Sequence, residues 1–169
     1  MENIQIILSV IAAVFAILAT MSKNYLMVMI HTLLFMVAIV TSYYLSNEMT
    51  MVYINLIAAG IVLASIALIL LNREDLRPLM IKISFVPILV VLYLSGLNVV
   101  ALLGVLGFSL SSLAAFRATV LDMKMWSLYS LFVWMSINII LGLWHLVGLN
   151  LITIAILLKV IFELRNQEM

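Results

Sequence analysis

Asn55 and Asn150 are the residues of this sequence best suited to hold a polar solute. They lie 95 positions apart, and the pattern Val-x-x-Asn-Leu-Ile of residues 52–57 recurs at 147–152. An asparagine side chain offers two hydrogen-bond donors and two acceptor lone pairs. Two such side chains that face one cavity can therefore bind a hydroxylated or amide-bearing solute without using charge. We predict that both residues bind solute.

Asn138 and Trp134 stand one helical turn apart shortly before Asn150. The indole of Trp134 would supply an apolar face for stacking, and we predict that both residues also contact the solute. The alternative role for the three asparagines is hydrogen bonding between neighbouring helices, at about 0.6–2 kcal/mol for each contact. Asn138 considered alone fits that structural role better, whereas the repeated pattern leaves both roles open for Asn55 and Asn150.

Catalytic and metal-binding patterns do not occur in the sequence. It has no cysteine and neither an H-E-x-x-H nor a G-x-S-x-G motif. We therefore expect no enzymatic activity, no cofactor and no metal site, and the net charge of +1 suggests no nucleic-acid partner. Five acidic residues flank the apolar stretches without entering them, which favours facilitated diffusion of a neutral solute over proton-coupled transport. They are Glu48, Glu74, Asp75, Asp122 and Glu163.

The composition identifies the class of protein. Apolar residues make up 67% of the chain and charged residues only 9%, whereas about 25% of a soluble domain is charged. Lipid must be its partner and solvent, and in lipid only helices and closed barrels satisfy their backbone hydrogen bonds. Stretches such as residues 51–71 are apolar on every side, without the two-residue alternation of barrel strands. We predict an all-α polytopic membrane protein.

Polar clusters divide the chain into seven predicted spans, each near the 20 or so residues that a bilayer requires. The spans are 4–21, 25–45, 51–71, 79–94, 99–116, 125–143 and 147–162. All eight basic residues then lie beside the odd-numbered connections or in the C-terminal tail. They are Lys23, Arg73, Arg77, Lys82, Arg117, Lys124, Lys159 and Arg165. Because basic residues stay on the cytoplasmic side, we predict an outer N-terminus and a cytoplasmic C-terminus.

An internal repeat accounts for the recurring pattern. A shift of 95 positions maps the first three spans onto the last three and keeps the lengths of their connections. The sequence thus predicts a first three-helix repeat at 1–71, a charged loop with a linker helix at 72–98, and a second repeat at 99–169. An odd linker span gives both triplets the same orientation, which is a parallel repeat about an axis along the membrane normal.

The pattern Trp134-x-x-x-Asn138-x-x-x-Gly142, with Lys124 before it and Asn150 after it, resembles the C-terminal half of the YgjV-like bacterial inner-membrane proteins. The N-terminal half is similar as well, and its matching positions are Tyr43-Tyr44, Thr50 and Asn55. The resemblance covers nearly the whole chain. It implies a multi-pass protein of the bacterial inner membrane.

That family in turn is similar to the SWEET and PQ-loop transporters, which have a three-plus-one-plus-three plan. In SWEET sugar carriers an asparagine on the third helix and one on the seventh face each other in the substrate pocket, and Asn55 and Asn150 match those positions. The sequence departs from the group because its first and fifth spans lack the hinge proline. Gly104 and Gly107 loosen only the fifth span, so the resemblance implies neither rocking transport nor sugar specificity.

Two functions therefore remain open. The first is a facilitative transporter, or its descendant, for a small uncharged solute bound between the two repeats. The second is a non-transporting membrane interaction or scaffold protein, which the missing hinge prolines favour. Small residues on the first and fifth spans form close-packing faces that would join the two triplets or a second copy of the chain. These faces contain Ala12, Ala13, Ala16 and Ala19, and Gly104, Gly107, Ser111, Ser112, Ala114 and Ala115.

Overall fold

The computed structural model describes residues 2–96, 98–117 and 119–168. This part of the chain forms seven α-helices and one short 3-10 turn, Glu74–Leu76, and contains no strand. The helices are α1 (Glu2–Met21), α2 (Tyr25–Leu45), α3 (Met49–Leu70), α4 (Arg77–Ser95), α5 (Val99–Ala115), α6 (Val120–Ile140) and α7 (Trp144–Glu168). The predicted all-α class is confirmed.

Four of these helices are long and apolar enough to cross a membrane, namely Ile4–Met21, Tyr25–Leu45, Met49–Leu70 and Trp144–Asn166. Shorter apolar stretches occur at Phe85–Leu94 in α4 and at Val99–Ala115, which is α5. Helix α6 has 21 residues, but its polar side chains lower its hydropathy. Several apolar helices fit a multi-pass membrane protein, and the arrangement of seven spans stays a prediction.

Helix α6 begins five residues before the predicted span 125–143. The Thr119 hydroxyl caps it by accepting a hydrogen bond from the backbone N–H of Asp122 at 3.1 Å. The helix ends at Ile140, and Gly142 then adopts the left-handed conformation at φ 69°. Lys124, which the sequence placed in a connection, therefore lies inside a helix. The seventh helix is also longer than the predicted 147–162.

Six helices close a ring. Each of α1, α2, α3, α5, α6 and α7 packs against the next in that order, and α7 packs against α1. Helix α4 packs on α3 and α5 at the outside of the ring. The two contacts that join the halves, α1 with α7 and α5 with α3, are equivalent under the predicted repeat. The fourth helix thus lies outside the ring, and its role as a linker between two repeats stays a prediction.

The ends of the helices follow the shift of 95 positions. Helices α2 and α6 begin at 25 and 120 and end at 45 and 140, while α3 and α7 begin at 49 and 144. The residues that cap α2 and α6 with their side chains, Asn24 and Thr119, are also 95 positions apart. The two halves thus use the same sites to start and stop these helices.

The turns between α2 and α3 and between α6 and α7 have the same backbone geometry. Asn47 (φ 60°) and Gly142 (φ 69°) occupy equivalent positions and take the left-handed conformation there. In each turn the next backbone N–H donates to a carbonyl five residues earlier, at 3.0 Å from Glu48 to Tyr43 and at 2.8 Å from Leu143 to Asn138. Glycine and asparagine are the residues that tolerate this conformation best.

Candidate functional site

The ring of six helices encloses a cavity of about 160 Å³. All four predicted site residues line it: Asn55, Asn138, Asn150 and Trp134. A cavity of about 150 Å³ has room for a molecule the size of benzene. The structure therefore brings the predicted residues together around a space that fits a small solute.

The residues that line the cavity come in pairs. Thirteen belong to the first half of the chain, between positions 16 and 62, and fourteen belong to the second half, between 111 and 157. Adding 95 to each of the first thirteen positions gives thirteen of the second fourteen. The first thirteen are Ala16, Ala19, Thr20, Val28, Met29, Thr32, Phe35, Met36, Ile39, Tyr43, Asn55, Ala58 and Val62.

The fourteenth residue of the second half is Leu146. Its equivalent, Met51, is fully buried at 0% exposure. Both halves therefore turn the same helix faces toward the cavity. This is the arrangement that the predicted repeat requires, and Asn55 and Asn150 are one of its pairs.

Tyr43 and Asn138 form a hydrogen bond near the α2–α3 and α6–α7 turns, which we call the turn end of the cavity. The Tyr43 hydroxyl donates to Asn138 Oδ1 at 2.7 Å, and both side chains are buried. The two positions are equivalent, because they too are 95 apart. Equivalent groups of a two-fold arrangement touch only at its axis, so this contact lies where the axis of the repeat would pass.

Asn55 and Asn150 differ in their hydrogen bonding although both are buried. The Asn55 amide donates to the Met51 carbonyl at 2.8 Å. The Asn150 amide nitrogen has no hydrogen-bond partner among the described residues. A buried donor left without a partner costs about 1–3 kcal/mol. The Asn150 amide is therefore a buried donor that no described residue satisfies.

Trp134 lies flat against α5 at Gly107. A methyl group on Gly107 would come within 3.1 Å of the indole atom Cε2, so the close approach depends on the missing side chain. The Trp134 indole N–H points at Ser111 Oγ, 3.4 Å away, and that hydroxyl lies 2.6 Å from Ser130 Oγ. The sequence analysis treated Gly107 as a residue that makes the fifth span more flexible. In the structure, the missing side chain of Gly107 lets the Trp134 indole pack against α5.

Lys124 is the residue that the sequence interpretation missed. It lines the cavity with only 2% exposure, and its ammonium donates to the Ala19 carbonyl at the end of α1. We assigned it to a connection because the positive-inside rule explained its charge. The internal repeat would have indicated this position, because Met29, the residue equivalent to Lys124, falls within the predicted second span. The expectation of an uncharged solute rested on neutral asparagine side chains and on the absence of carboxylates within the spans, without considering Lys124, and it stays a prediction.

Two hydrogen bonds join the halves of the chain at the opposite end of the cavity, which we call the Lys124 end. Lys124 of α6 donates to Ala19 at the end of α1, and the Tyr25 hydroxyl of α2 donates to Ala115 at the end of α5. In each half the second helix thus bonds to the end of the first helix of the other half. Hydrogen bonds between the halves therefore lie at both ends of the cavity.

Metal binding finds no support in the residues that the structure describes, which contain no group of three or more histidines and carboxylates close enough to hold an ion. What the cavity offers instead is an indole face, several amides and hydroxyls, and one ammonium. Groups of these kinds are able to bind a polar solute by hydrogen bonds and charge.

In a comparison with known protein families, one family matches nearly the whole chain. A family model described as Imp-YgjV, bacterial inner membrane protein, matches residues 3–168. No curated protein and no solved structure matches the chain.

Proposed function

The chain belongs to the Imp-YgjV family of bacterial inner membrane proteins, and from this premise we propose that it is a facilitative transporter, or the descendant of one, for a small solute. The match confirms the family and the multi-pass inner-membrane location that the sequence predicted. The similarity to SWEET and PQ-loop transporters stays a prediction. The proposed binding site is the cavity between the two three-helix repeats.

One observation carries the proposal, namely the thirteen pairs of lining residues related by a shift of 95. Transporters built from parallel repeats place their substrate site at the interface between the repeats. The same faces of both repeats must then meet the solute. A chain whose buried small residues served only to pack helices would have no need of a shared, paired cavity lined by asparagines, serines and a lysine.

The proposal includes the orientation of the chain. All seven helices cross the membrane, with the N-terminus outside and the C-terminus in the cytoplasm, because every basic residue then lies on the cytoplasmic side. The turn end of the cavity faces outward and the Lys124 end faces the cytoplasm. Helix α5 has 17 residues, the lower limit for a spanning helix.

Access of water to the cavity tests the proposal. Because the chain lacks cysteine, single cysteines can be introduced without removing native ones. We expect Asn150→Cys to react with a small water-soluble maleimide in membranes, because residue 150 faces a wet cavity. The neighbouring Leu151→Cys is the matched control, since its side chain is 54% exposed on the lipid side of α7. It should react at least about tenfold more slowly, because thiolates do not form in hydrocarbon.

A non-transporting interaction protein is the second candidate function. Helix α1 contains neither proline nor glycine, and hydrogen bonds join the two halves at both ends of the cavity. Both features favour a rigid body over one that rocks between two states. If Asn150→Cys were as unreactive as Leu151→Cys in membranes that contain folded protein, the cavity would be dry, and this second function would replace the first.

A further inference from the structure

Lys124 supplies the only charge among the described residues that line the cavity. Its side chain is 2% exposed, and a buried ion without compensation costs several kcal/mol. Ionisable residues inside membrane proteins face the interior of the helix bundle or a water-filled cavity, pair with one another or with backbone carbonyls, and mark functional sites by default. The structure gives Lys124 one hydrogen-bond acceptor, the carbonyl of Ala19. An ammonium has three N–H donors. Lys124 therefore has fewer acceptors than donors, and no described residue supplies an opposite charge.

The charged residues near Lys124 do not neutralise it. Asp122, two positions earlier, is exposed at the start of α6 and forms no ion pair with Lys124. Arg117 carries the same sign and lies over the ring of Trp126 at 4.8 Å. No other described residue places a carboxylate within ion-pair distance of the Lys124 ammonium. The described residues therefore offer the Lys124 ammonium a backbone carbonyl but no opposite charge.

The cavity holds a second unmet donor, the amide of Asn150, which is buried at 4% exposure and has no partner among the described residues. By contrast, the hydroxyls of Thr20 and Ser127 both donate to carbonyls one turn earlier on their own helices. The Lys124 ammonium and the Asn150 amide are thus cavity donors that lack a full set of acceptors. Both need acceptor oxygens, and one of them needs a negative charge.

These two donors are too far apart for one small molecule to reach both at once. Trp134 and Asn150 lie equally far along the chain from the turn at Gly142, so they stand at about the same depth. Lys124 lies ten residues before Trp134, about 15 Å further along α6 at 1.5 Å per residue. Lys124 and Asn150 therefore mark two separate binding positions along the cavity, the first at Lys124 and the second at Asn150.

Resting on the transport function proposed above, we propose that the solute is a small monocarboxylate, whose carboxylate pairs with Lys124 at the Lys124 end. A single ammonium balances a single negative charge, which favours a monocarboxylate over a dianion. Apolar and aromatic side chains make up most of the cavity lining, and these accept a short apolar body. At the second binding position a carboxylate oxygen accepts a hydrogen bond from the Asn150 amide, which has no other partner among the described residues.

Fluorescence quenching of Trp134 tests this proposal on the full-length protein in detergent. With Trp126→Phe and Trp144→Phe, Trp134 is the only tryptophan left and lines the cavity. Iodide is the anionic probe and acrylamide the neutral one. We expect Lys124→Met to lower iodide quenching roughly tenfold, the lower end of what a charged cleft achieves in concentrating ions. Acrylamide quenching should stay unchanged.

The variants are matched to exclude a folding defect. Methionine fills the space of the lysine stem, and it is the residue at the equivalent position 29. Lys124→Arg keeps the charge and should retain iodide quenching. Lys82→Met removes an exposed basic residue of α4 and should have no effect.

Competition identifies the class of anion at constant ionic strength. Butyrate should protect Trp134 from iodide, butyramide should not, and Lys124→Met should abolish the protection. Protection by chloride equal to that by butyrate would overturn the assignment of a carboxylate. Iodide quenching that survives Lys124→Met, with acrylamide still effective, would overturn the role of Lys124 and leave the proposed transport function standing. If neither quencher reached Trp134, the transport function itself would fail.

Discussion

Replacing Tyr43 with alanine is expected to lower the free energy of unfolding by about 3–5 kcal/mol, the usual cost of deleting a buried aromatic side chain. Tyr43 is the largest of the side chains with less than 2% exposure in the described chain. The substitution removes its ring from the turn end of the cavity, and it also leaves Asn138 Oδ1 without the donor that lies 2.7 Å away. Unfolding of the purified protein by dodecyl sulfate in mixed micelles measures the loss.

Tyr44→Ala is the matched control for this prediction. Tyr44 is adjacent and of the same type, but its side chain is 62% exposed, so the change should stay within about 0.5 kcal/mol. Tyr43→Phe keeps the ring and removes only the hydroxyl, and it should cost about 0.6–2 kcal/mol. Equal losses for Tyr43→Ala and Tyr44→Ala would contradict the position of Tyr43 at the junction of the repeats.

Gly107→Leu is expected to close the cavity and to lower the free energy of unfolding by about 1–3 kcal/mol, as overpacking of a filled interior does. Even a methyl group at this position would lie 3.1 Å from Trp134 Cε2 and 3.3 Å from Nε1. A leucine must therefore push the rigid indole off α5 and into the cavity. Maleimide labelling of Asn150→Cys in this background should fall together with stability.

Gly60→Leu serves as the control, because a Cβ atom at Gly60 meets no atom within 4 Å. It makes the same chemical change within a helix, and leucine favours helix over glycine by less than about 1 kcal/mol. Stability should be unchanged or slightly higher, and labelling of Asn150→Cys should persist. If Gly107→Leu behaved like Gly60→Leu, the indole would not be seated against α5.

Much of the fold follows from the sequence because one physical effect dominates it. A chain that is 67% apolar must span lipid as helices, and polar clusters mark the connections. The boundary of α6 was wrong because a count of apolar residues penalises Asp122 and Lys124. The structure starts this helix at the Thr119 cap instead. Its equivalent Asn24 caps α2, so comparison of the halves would have located this start.

The candidate site was predictable to the extent that the repeat determines it. The shift that pairs Asn55 with Asn150 also brings Asn138 and Trp134 to the same cavity. The bond between Tyr43 and Asn138 was not predictable, because sequence pairs positions without showing which side chains meet at an axis. Lys124 was missed for another reason. A basic residue near a span end satisfies the positive-inside rule whether its ammonium points to water or into the protein.

Crosslinking between residues 55 and 150 tests most directly whether two repeats meet across one cavity. Asn55→Cys with Asn150→Cys, treated with a short bifunctional thiol reagent, should form a crosslink within one chain, since both positions line the cavity. Leu56→Cys with Leu151→Cys is also a pair 95 positions apart, but these side chains are 51% and 54% exposed away from the cavity, so this pair should remain uncrosslinked within the chain. A crosslink in the leucine pair without one in the asparagine pair would contradict the paired cavity and the transport function built on it.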